Sequence, residues 1–411
     1  MAAGPTDDGG GPPTTTERAA GSAGEVLLAF LRLGLTSFGG PVAHLGYFRS
    51  EFVERRGWLD DRAYADLVAL TQFLPGPASS QTGIALGWLR AGWRGALAAW
   101  IGFTAPSAIA MIAFALGIAH HGALAASGAV HGLKIVAVAI VAQALWTMSR
   151  SLCPDWPRRA LAMLAALLAF VLPSSLGQIG AIAACGTLGW LFVRLPPRQA
   201  VAHRSFGVST TVAVAALVLF ALLLLGLPLA AAITGSPLLH LLDGFYRAGA
   251  LVFGGGHVVL PLLQSAVVPG GAVSSADFLA GYGAAQAVPG PLFTFAAYLG
   301  AVMTGPLSGW IGGVVSLVAI FLPGALLVVG SLPFWDRLRS RAGIGSTMAG
   351  INAGVVGILA AAWVDPVSAS SIHSLADAGL ALACFGLLVH ARLSPVWVVG
   401  FAAAAATILA A

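Results

Sequence analysis

Lysine occurs once in 411 residues, at position 134, and all charged side chains together make up only 9% of the chain, against roughly a quarter in an average soluble domain. That single lysine lies outside any Gly-x-x-x-x-Gly-Lys motif, which excludes ATP-driven pumping by this chain alone. Neither His-Glu-x-x-His nor Gly-x-Ser-x-Gly occurs, so the chain is not expected to be an enzyme. Cys153, Cys185 and Cys384 stand far apart, without a Cys-x-x-Cys pair or a histidine at ligand spacing, so no metal and no cofactor is expected. The net charge is +5 and the isoelectric point near 9.6, yet no basic block interleaves with aromatics, which argues against a nucleic-acid partner. Residues 1–24 lack a basic start followed by an apolar core, so they read as a disordered cytoplasmic tail and not as a signal peptide.

What fills the chain instead is apolar sequence, 58% hydrophobic. Runs at 95–119, 160–193, 207–233 and 395–411 contain no Lys, Arg, Asp or Glu and match the roughly 20 residues that cross a bilayer as a helix. The expected fold class is an all-α polytopic membrane protein, with the lipid bilayer as its solvent.

The chain also repeats itself. FLRLGLTSFGGP at 30–41 returns as FYRAGALVFGGG at 245–256, an offset of 215, and Gln72-x-x-Pro75-Gly76-Pro77 returns as Gln286-x-x-Pro289-Gly290-Pro291 at offset 214. GLKIVAVAIVAQALW at 132–146 lies over GINAGVVGILAAAWV at 350–364, setting Lys134 opposite Asn352. The first repeat is expected at 25–194 and the second at 239–411, with one linking transmembrane helix in 195–238, giving 13 hydrophobic segments. An odd number of crossings between two even-numbered repeats inverts the second one.

Loop charge agrees with inversion. Arginines fall at 49–62, 90–94, 150–159 and 194–206 in the first repeat, and at 333–346 and 390–395 in the second; the loops at 120–131, 173–178, 264–278, 303–306 and 364–377 have none. The positive-inside rule puts the arginine loops and the N-terminus in the cytoplasm of an inner-membrane protein, with the C-terminus periplasmic. If 25–48 and 62–90 were plain spans, the four arginines of 49–62 would lie outside, so both segments are expected to re-enter, bending at Phe-Gly-Gly and Pro-Gly-Pro. The arms around Pro-Gly-Pro, about 12 residues each, reach only ~18 Å as helix.

Broken backbone at membrane depth is tolerated where it is buried in protein or lines a polar cavity. A proline heading a new helix leaves the next N–H groups and the positive dipole end as an anion cradle. Candidate substrate-binding positions are therefore Gly39 and Gly40, Gly254 and Gly255, Pro77 with Ser79 and Ser80, and Thr294 after Pro291. Arg32 and Arg247 recur at equivalent positions and would add full charge suited to an oxyanion, or else snorkel to the interface. Lys134 is either a third anion contact or an interfacial anchor, while Gln72 and Gln286 either contact substrate or tie the hairpin arms. His44, His257 and Asp66 are the candidates for proton coupling. The pairs Gly83/Gly87 and Gly350/Gly354 read as close helix packing.

Phe-Gly-Gly-Pro after an arginine-bearing amphipathic helix, then Gln-x-x-Pro-Gly-Pro, both repeated, resembles the chromate ion transporter family in its two-domain efflux form. The likeness covers nearly all of the chain after residue 24, with Gly256 standing where the first repeat has Pro41. It implies an inner-membrane carrier that exports chromate under the membrane potential or a proton gradient and confers chromate resistance, with sulfate as natural competitor. Uptake or exchange of sulfate or another oxyanion is the alternative, and a channel is a third. A homodimer stays open, since no residue pattern sets the oligomeric state.

Overall fold

In a computed structural model, the described residues are 21–120, 128–172, 174–195, 206–304, 308–335 and 343–410, and among them there is no strand. Most of the expected tail, part of the 120–131 loop, and Arg198, Arg204, Arg337, Arg339 and Arg341 lie outside the described residues.

The first two segments fold as hairpins. Helix α1 (Ala23–Thr36) starts on Ser22, whose side chain accepts from the Glu25 N–H, and α2 (Gly40–Phe48) follows the break and runs into a π-helical turn, Arg49–Arg55. Helix α3 (Asp61–Phe73) starts on Asp60, and α4 (Ala78–His120) follows Pro-Gly-Pro, then bends at Ala91–Gly92 into a short first arm and a long second arm. Glu25 at the head of α1 pairs with Arg90 (3.0 Å) and Arg56 (3.5 Å), and Arg49 pairs with Asp61 (2.7 Å). The start of α1, the end of α2, the start of α3 and the end of the short arm of α4 therefore meet at one face of the molecule, called the N-face below. Helices α1 and α3 have 14 and 13 residues, about 20 Å at 1.5 Å per residue, short of a ~30 Å hydrocarbon core. Each hairpin enters and returns on the N-face.

After α5 (Gly128–Leu152), α6 (Trp156–Val171), α7 (Ser175–Phe192) and the linking α8 (Thr210–Thr234), the pattern restarts. Helix α9 (Pro237–Ala250) matches α1, and α10 (Val259–Val267) matches α2. The latter is preceded by a 3-10 turn, Gly256–Val258, where the first repeat has Pro41 already inside the helix. Helices α11 (Ser275–Ala285) and α12 (Phe295–Val302) flank the second Pro-Gly-Pro, and α13 (Gly309–Ser331), α14 (Ile344–Ala362), α15 (Leu375–Val389) and α16 (Pro395–Ala410) complete the repeat.

The two repeats run in opposite directions. The long arm of α4 leaves the N-face, and near its end Phe114 stacks on Tyr298 (5.8 Å between ring centres) at the base of the second repeat's hairpin. Helix α13 then returns, and the Trp335 indole N–H beyond it donates to Asp66 Oδ1 on α3 at 3.1 Å. Among the described residues, five helical stretches are long and apolar enough to cross a membrane: Ala78–Ile118, Gly128–Leu152, Thr210–Thr234, Gly309–Phe334 and Ile344–Ser368.

Small residues knit the repeats together, as membrane helices without a hydrophobic driving force require. A Cβ on Gly132 (α5) would lie 2.3 Å from the Ala402 carbonyl oxygen (α16), and one on Gly350 (α14) would lie 2.2 Å from that of Cys185 (α7). Gly132 and Gly350 are equivalent positions, so each repeat lends one long helix to the other's outer pair. Gly354 packs on Cys185, Gly83 on Phe30, and Gly87 on the Gly95 carbonyl.

Candidate functional site

The four backbone breaks meet in pairs across the repeats. The Gly76 N–H, in the first Pro-Gly-Pro, donates to the Val252 carbonyl before the second Phe-Gly-Gly (2.7 Å); the Gly290 N–H, in the second Pro-Gly-Pro, donates to the Ser37 carbonyl before the first (2.9 Å). Val252 is Ser37 displaced by 215 and Gly290 is Gly76 displaced by 214, so one interaction is made twice about a pseudo-twofold axis. Only a residue free to adopt positive φ serves at the donor positions, where φ is 120° for Gly76 and 99° for Gly290.

A second symmetric contact braces each break. Proline interrupts both long helices, at Pro106 in α4 and Pro323 in α13. A Cβ on Gly290 would lie 2.9 Å from Ser107 Oγ, and one on Gly76 would lie 3.2 Å from Gly324 Cα. Each Pro-Gly-Pro thus presses against the residue after the other repeat's helix proline. Gln81 ties the first junction, donating from Nε2 to the carbonyls of Pro75 (2.9 Å) and Gly324 (3.2 Å).

The side chains around the junction do not share this symmetry. On the first-repeat side stand Ser37, His44, Ser79, Ser80, Gln81, Thr104 and Ser107, none more than 3% exposed. His44 Nδ1 lies 3.5 Å from Ser79 Oγ, its ring packs edge-on to Phe103 with centres 5.2 Å apart, and Ser107 donates to the Thr104 carbonyl (3.1 Å). Five buried polar atoms here have no partner among the described residues: Ser37 Oγ, His44 Nε2, Ser80 Oγ, Gln81 Oε1 and Thr104 Oγ1. Leaving one such group unpaired costs about 1–3 kcal/mol, so their concentration marks a place built to hold something polar. Helix α4 begins among them, and its first intrahelical bond runs from Gln81 N–H to the Pro77 carbonyl. The N–H groups ahead of it point out of the helix end.

At the equivalent second-repeat positions stand Val252, Val259, Phe293, Thr294, Phe295, Phe321 and Gly324. The one hydroxyl among them, on Thr294, is already donated to the Pro291 carbonyl (2.9 Å). The segment after Pro291 is a 3-10 turn, Leu292–Thr294, before α12 begins.

The candidates named from sequence divide accordingly. Pro77, Ser79, Ser80 and His44 come together at the first-repeat junction, and Thr294 lies at the second. Gly39, Gly40, Gly254 and Gly255 have φ of 100°, 78°, 75° and 144° and form the breaks themselves. Gln72 is exposed, whereas Gln286 is half-buried with its Nε2 lacking a protein partner. Arg32 faces outward between exposed Leu28 and Leu35, and its guanidinium has no hydrogen-bond or ion-pair partner among the described residues. Arg247 forms an ion pair with Asp243 and lines a separate cavity of ≈ 200 Å³ with His240, Ile179 and Ser265. Lys134 lies nearly two turns into α5 toward the face opposite the N-face, one turn on from His131 of the His131–Asp377 pair (2.9 Å). His257 Nδ1 lies 2.7 Å from the Tyr282 hydroxyl, and Asp66 accepts from Trp335 near the N-face.

Sequence reasoning placed Gln81 near the Pro77 cradle but missed Ser37, Thr104 and Ser107. The signal for the last two was the proline recurring in each long helix, Pro106 and Pro323, at offset 217.

Against known proteins, a family model described as "Chromate transporter" matches residues 24–190 and again 239–408. This chain belongs to the chromate transporter family. It is 29% identical over 377 residues to the chromate transport protein of Pseudomonas aeruginosa, covering 88% of this chain and 86% of that one. The corresponding protein of Cupriavidus metallidurans is 28% identical over 372 residues (89% and 87%), and a probable chromate transport protein of Synechococcus elongatus is 28% identical over 349 (84% of each). No solved structure matches. The chain is an integral membrane protein of a transporter family.

Proposed function

We propose that this protein is a carrier that moves chromate out of the cytoplasm and thereby confers chromate resistance. The observation that carries the reading is the cluster of buried polar groups without a partner around the start of α4, the Ser37, Ser80 and Thr104 hydroxyls among them, at the crossing of two inverted repeats. A tetrahedral dianion accepts hydrogen bonds in several directions at once. In this reading the free N–H groups after Pro77, the Ser79 and Ser80 hydroxyls, Ser37, Thr104 and the His44 ring are the donors available to it around the first-repeat junction. Relatives named for chromate transport align along most of the chain. The cradle uses neutral dipoles in this reading, since Arg247 is committed to Asp243 and Arg32 faces outward.

Orientation follows from charge. The paired Arg49, Arg55, Arg56 and Arg90 gather at the N-face, which the positive-inside rule puts in the cytoplasm together with the N-terminus; α16 ends on the opposite, periplasmic side. Expelling a dianion from a negative interior then gains about 4.6 kcal/mol at 100 mV, from ~2.3 per charge, so export runs with the potential. His44 is the group best placed to couple a proton, because it is the titratable side chain in contact with the cradle.

The test is flux in proteoliposomes of known orientation. Chromate efflux that saturates, is competed by sulfate, and falls in Ser79→Ala/Ser80→Ala supports the carrier. Sulfate moving in preference to chromate, or inward against the potential, would replace it with the uptake or exchange reading. Current without saturable counterflow would mean a channel.

A further inference from the structure

The N-face carries a second basic feature that the central site does not use. Where α5 and α15 end side by side, Arg150 and Arg392 line an open groove of ≈ 580 Å³ together with Gln143, Trp146, Leu388 and Val389. Among the described residues neither arginine has a carboxylate partner, and no carboxylate lines the groove. That is unlike Arg49, Arg55, Arg56, Arg90 and Arg158, each of which is held in an ion pair. The Arg150 guanidinium lies 4.6 Å over the Trp146 ring, which fixes its plane and leaves its N–H edge free. Arg392 has φ 52°, the only positive φ outside glycine among the described residues. That backbone belongs to the turn that ends α15, where the Leu393 N–H closes back on the Leu387 carbonyl (3.1 Å). The second repeat does not carry the same pair, since the positions equivalent to Trp146 and Arg150 at offset 218 are Val364 and Ser368.

We infer that this groove binds a phosphate-type oxyanion between the Arg150 and Arg392 guanidiniums. Two forks over one opening offer bidentate contacts to a tetrahedral anion. Trp146, Leu388 and Val389 give the same groove an apolar wall, and tryptophan is enriched where proteins meet the membrane interface. Two sources present this chemistry there: the phosphodiester headgroup of an anionic lipid, and a free inorganic oxyanion at the mouth of the carrier.

The full chain separates them. Binding of phosphatidylglycerol is measured in nanodiscs of otherwise zwitterionic lipid, and binding of inorganic phosphate in neutral detergent, for wild type, Arg150→Gln, Arg392→Gln and the double variant. Each single variant should weaken binding about tenfold, as loss of one charge-assisted contact implies, and the double variant more. Weakening for phosphatidylglycerol alone assigns a lipid headgroup, and weakening for inorganic phosphate assigns a free anion; both uphold the site. Both surface variants should melt as wild type does. Wild-type affinity for both probes in the double variant overturns the proposal and leaves these arginines as topogenic charge only.

Discussion

Replacing Ser80 by alanine should make the substrate-free protein more stable and its substrate binding worse. Ser80 is 3% exposed and its hydroxyl has no protein partner. Removing an unpaired buried hydroxyl relieves a cost of about 1–3 kcal/mol while deleting a single heavy atom, so the cavity left behind is small. With an oxyanion in the cradle the same hydroxyl would donate to a charged acceptor, a bond worth about 1.5–3 kcal/mol. At 1.4 kcal/mol per decade, Kd should rise about ten- to a hundredfold. Thermal melting of purified protein with and without chromate reads both effects: the Ser80→Ala midpoint without ligand lies above wild type, and the chromate-induced shift shrinks. Ser79→Ala serves as comparison, because Ser79 already neighbours His44 Nδ1 and its removal leaves that nitrogen unpaired. A lower ligand-free midpoint together with an unchanged chromate shift for Ser80→Ala would refute the cradle and make Ser80 an ordinary packing residue.

Gly290→Ala should be among the most damaging single changes, since φ is 99° and the new Cβ would lie 2.9 Å from Ser107 Oγ and 3.2 Å from the Phe103 carbonyl. The strain alone costs about 1–3 kcal/mol, and chromate flux should fail with it. Gly40→Ala, also at positive φ but with nothing within 4 Å of its Cβ, should cost about 1–2 kcal/mol and retain flux; melting and flux measured together rank the two. Arg32→Gln should change melting by less than about 0.5 kcal/mol and leave flux intact. Arg247→Gln strips half-buried Asp243 of its partner and should destabilise the protein, with Asp243→Asn on top of it restoring much of the loss. Glu25→Gln, which loosens α1 from both Arg56 and Arg90, should cost about 0.2–1 kcal/mol per partly exposed pair, read as a lower melting midpoint.

The doubled motifs made the architecture legible. Gly-Gly and Pro-Gly-Pro are backbone statements, so two copies of each in the same order specify where helices break and that the breaks correspond. Opposite arginine bias in the loops then specifies inversion. Which break touches which was not legible, because the bonds from Gly76 to Val252 and from Gly290 to Ser37 join residues far apart in the chain and use only backbone atoms. Arg32 and Arg247 occupy equivalent positions but differ in surroundings, because a helix of 14 residues ending at a break carries its arginine on whichever face the next helix leaves open. In α1 that face points outward, and in α9 Asp243 one turn earlier takes up the guanidinium. Ser37 and Thr104 drew no notice because a lone hydroxyl in an apolar run usually bonds back to its own helix, as Thr36, Thr147 and Thr187 do here. Only the fold separates those from hydroxyls left without a partner.

A cradle of neutral donors suits a carrier better than one built on arginines. At 4 Å and an effective dielectric of 20, one full charge attracts another by about 4 kcal/mol, so a dianion between two unpaired guanidiniums would gain severalfold more than from single hydrogen bonds. Such a site captures well and releases slowly, whereas conduction demands binding weak enough to leave. Hydroxyls and helix-end N–H groups each contribute modestly and can be given up one at a time as the junction opens. The symmetric backbone bonds at Gly76 and Gly290 hold one repeat to the other, and the hydrophilic lining sits almost wholly on the first-repeat side. If the repeats move against each other there, the apolar surface of Val252, Phe293, Phe295 and Phe321 slides over a fixed polar patch. Its passage would uncover or seal the donors without rearranging them.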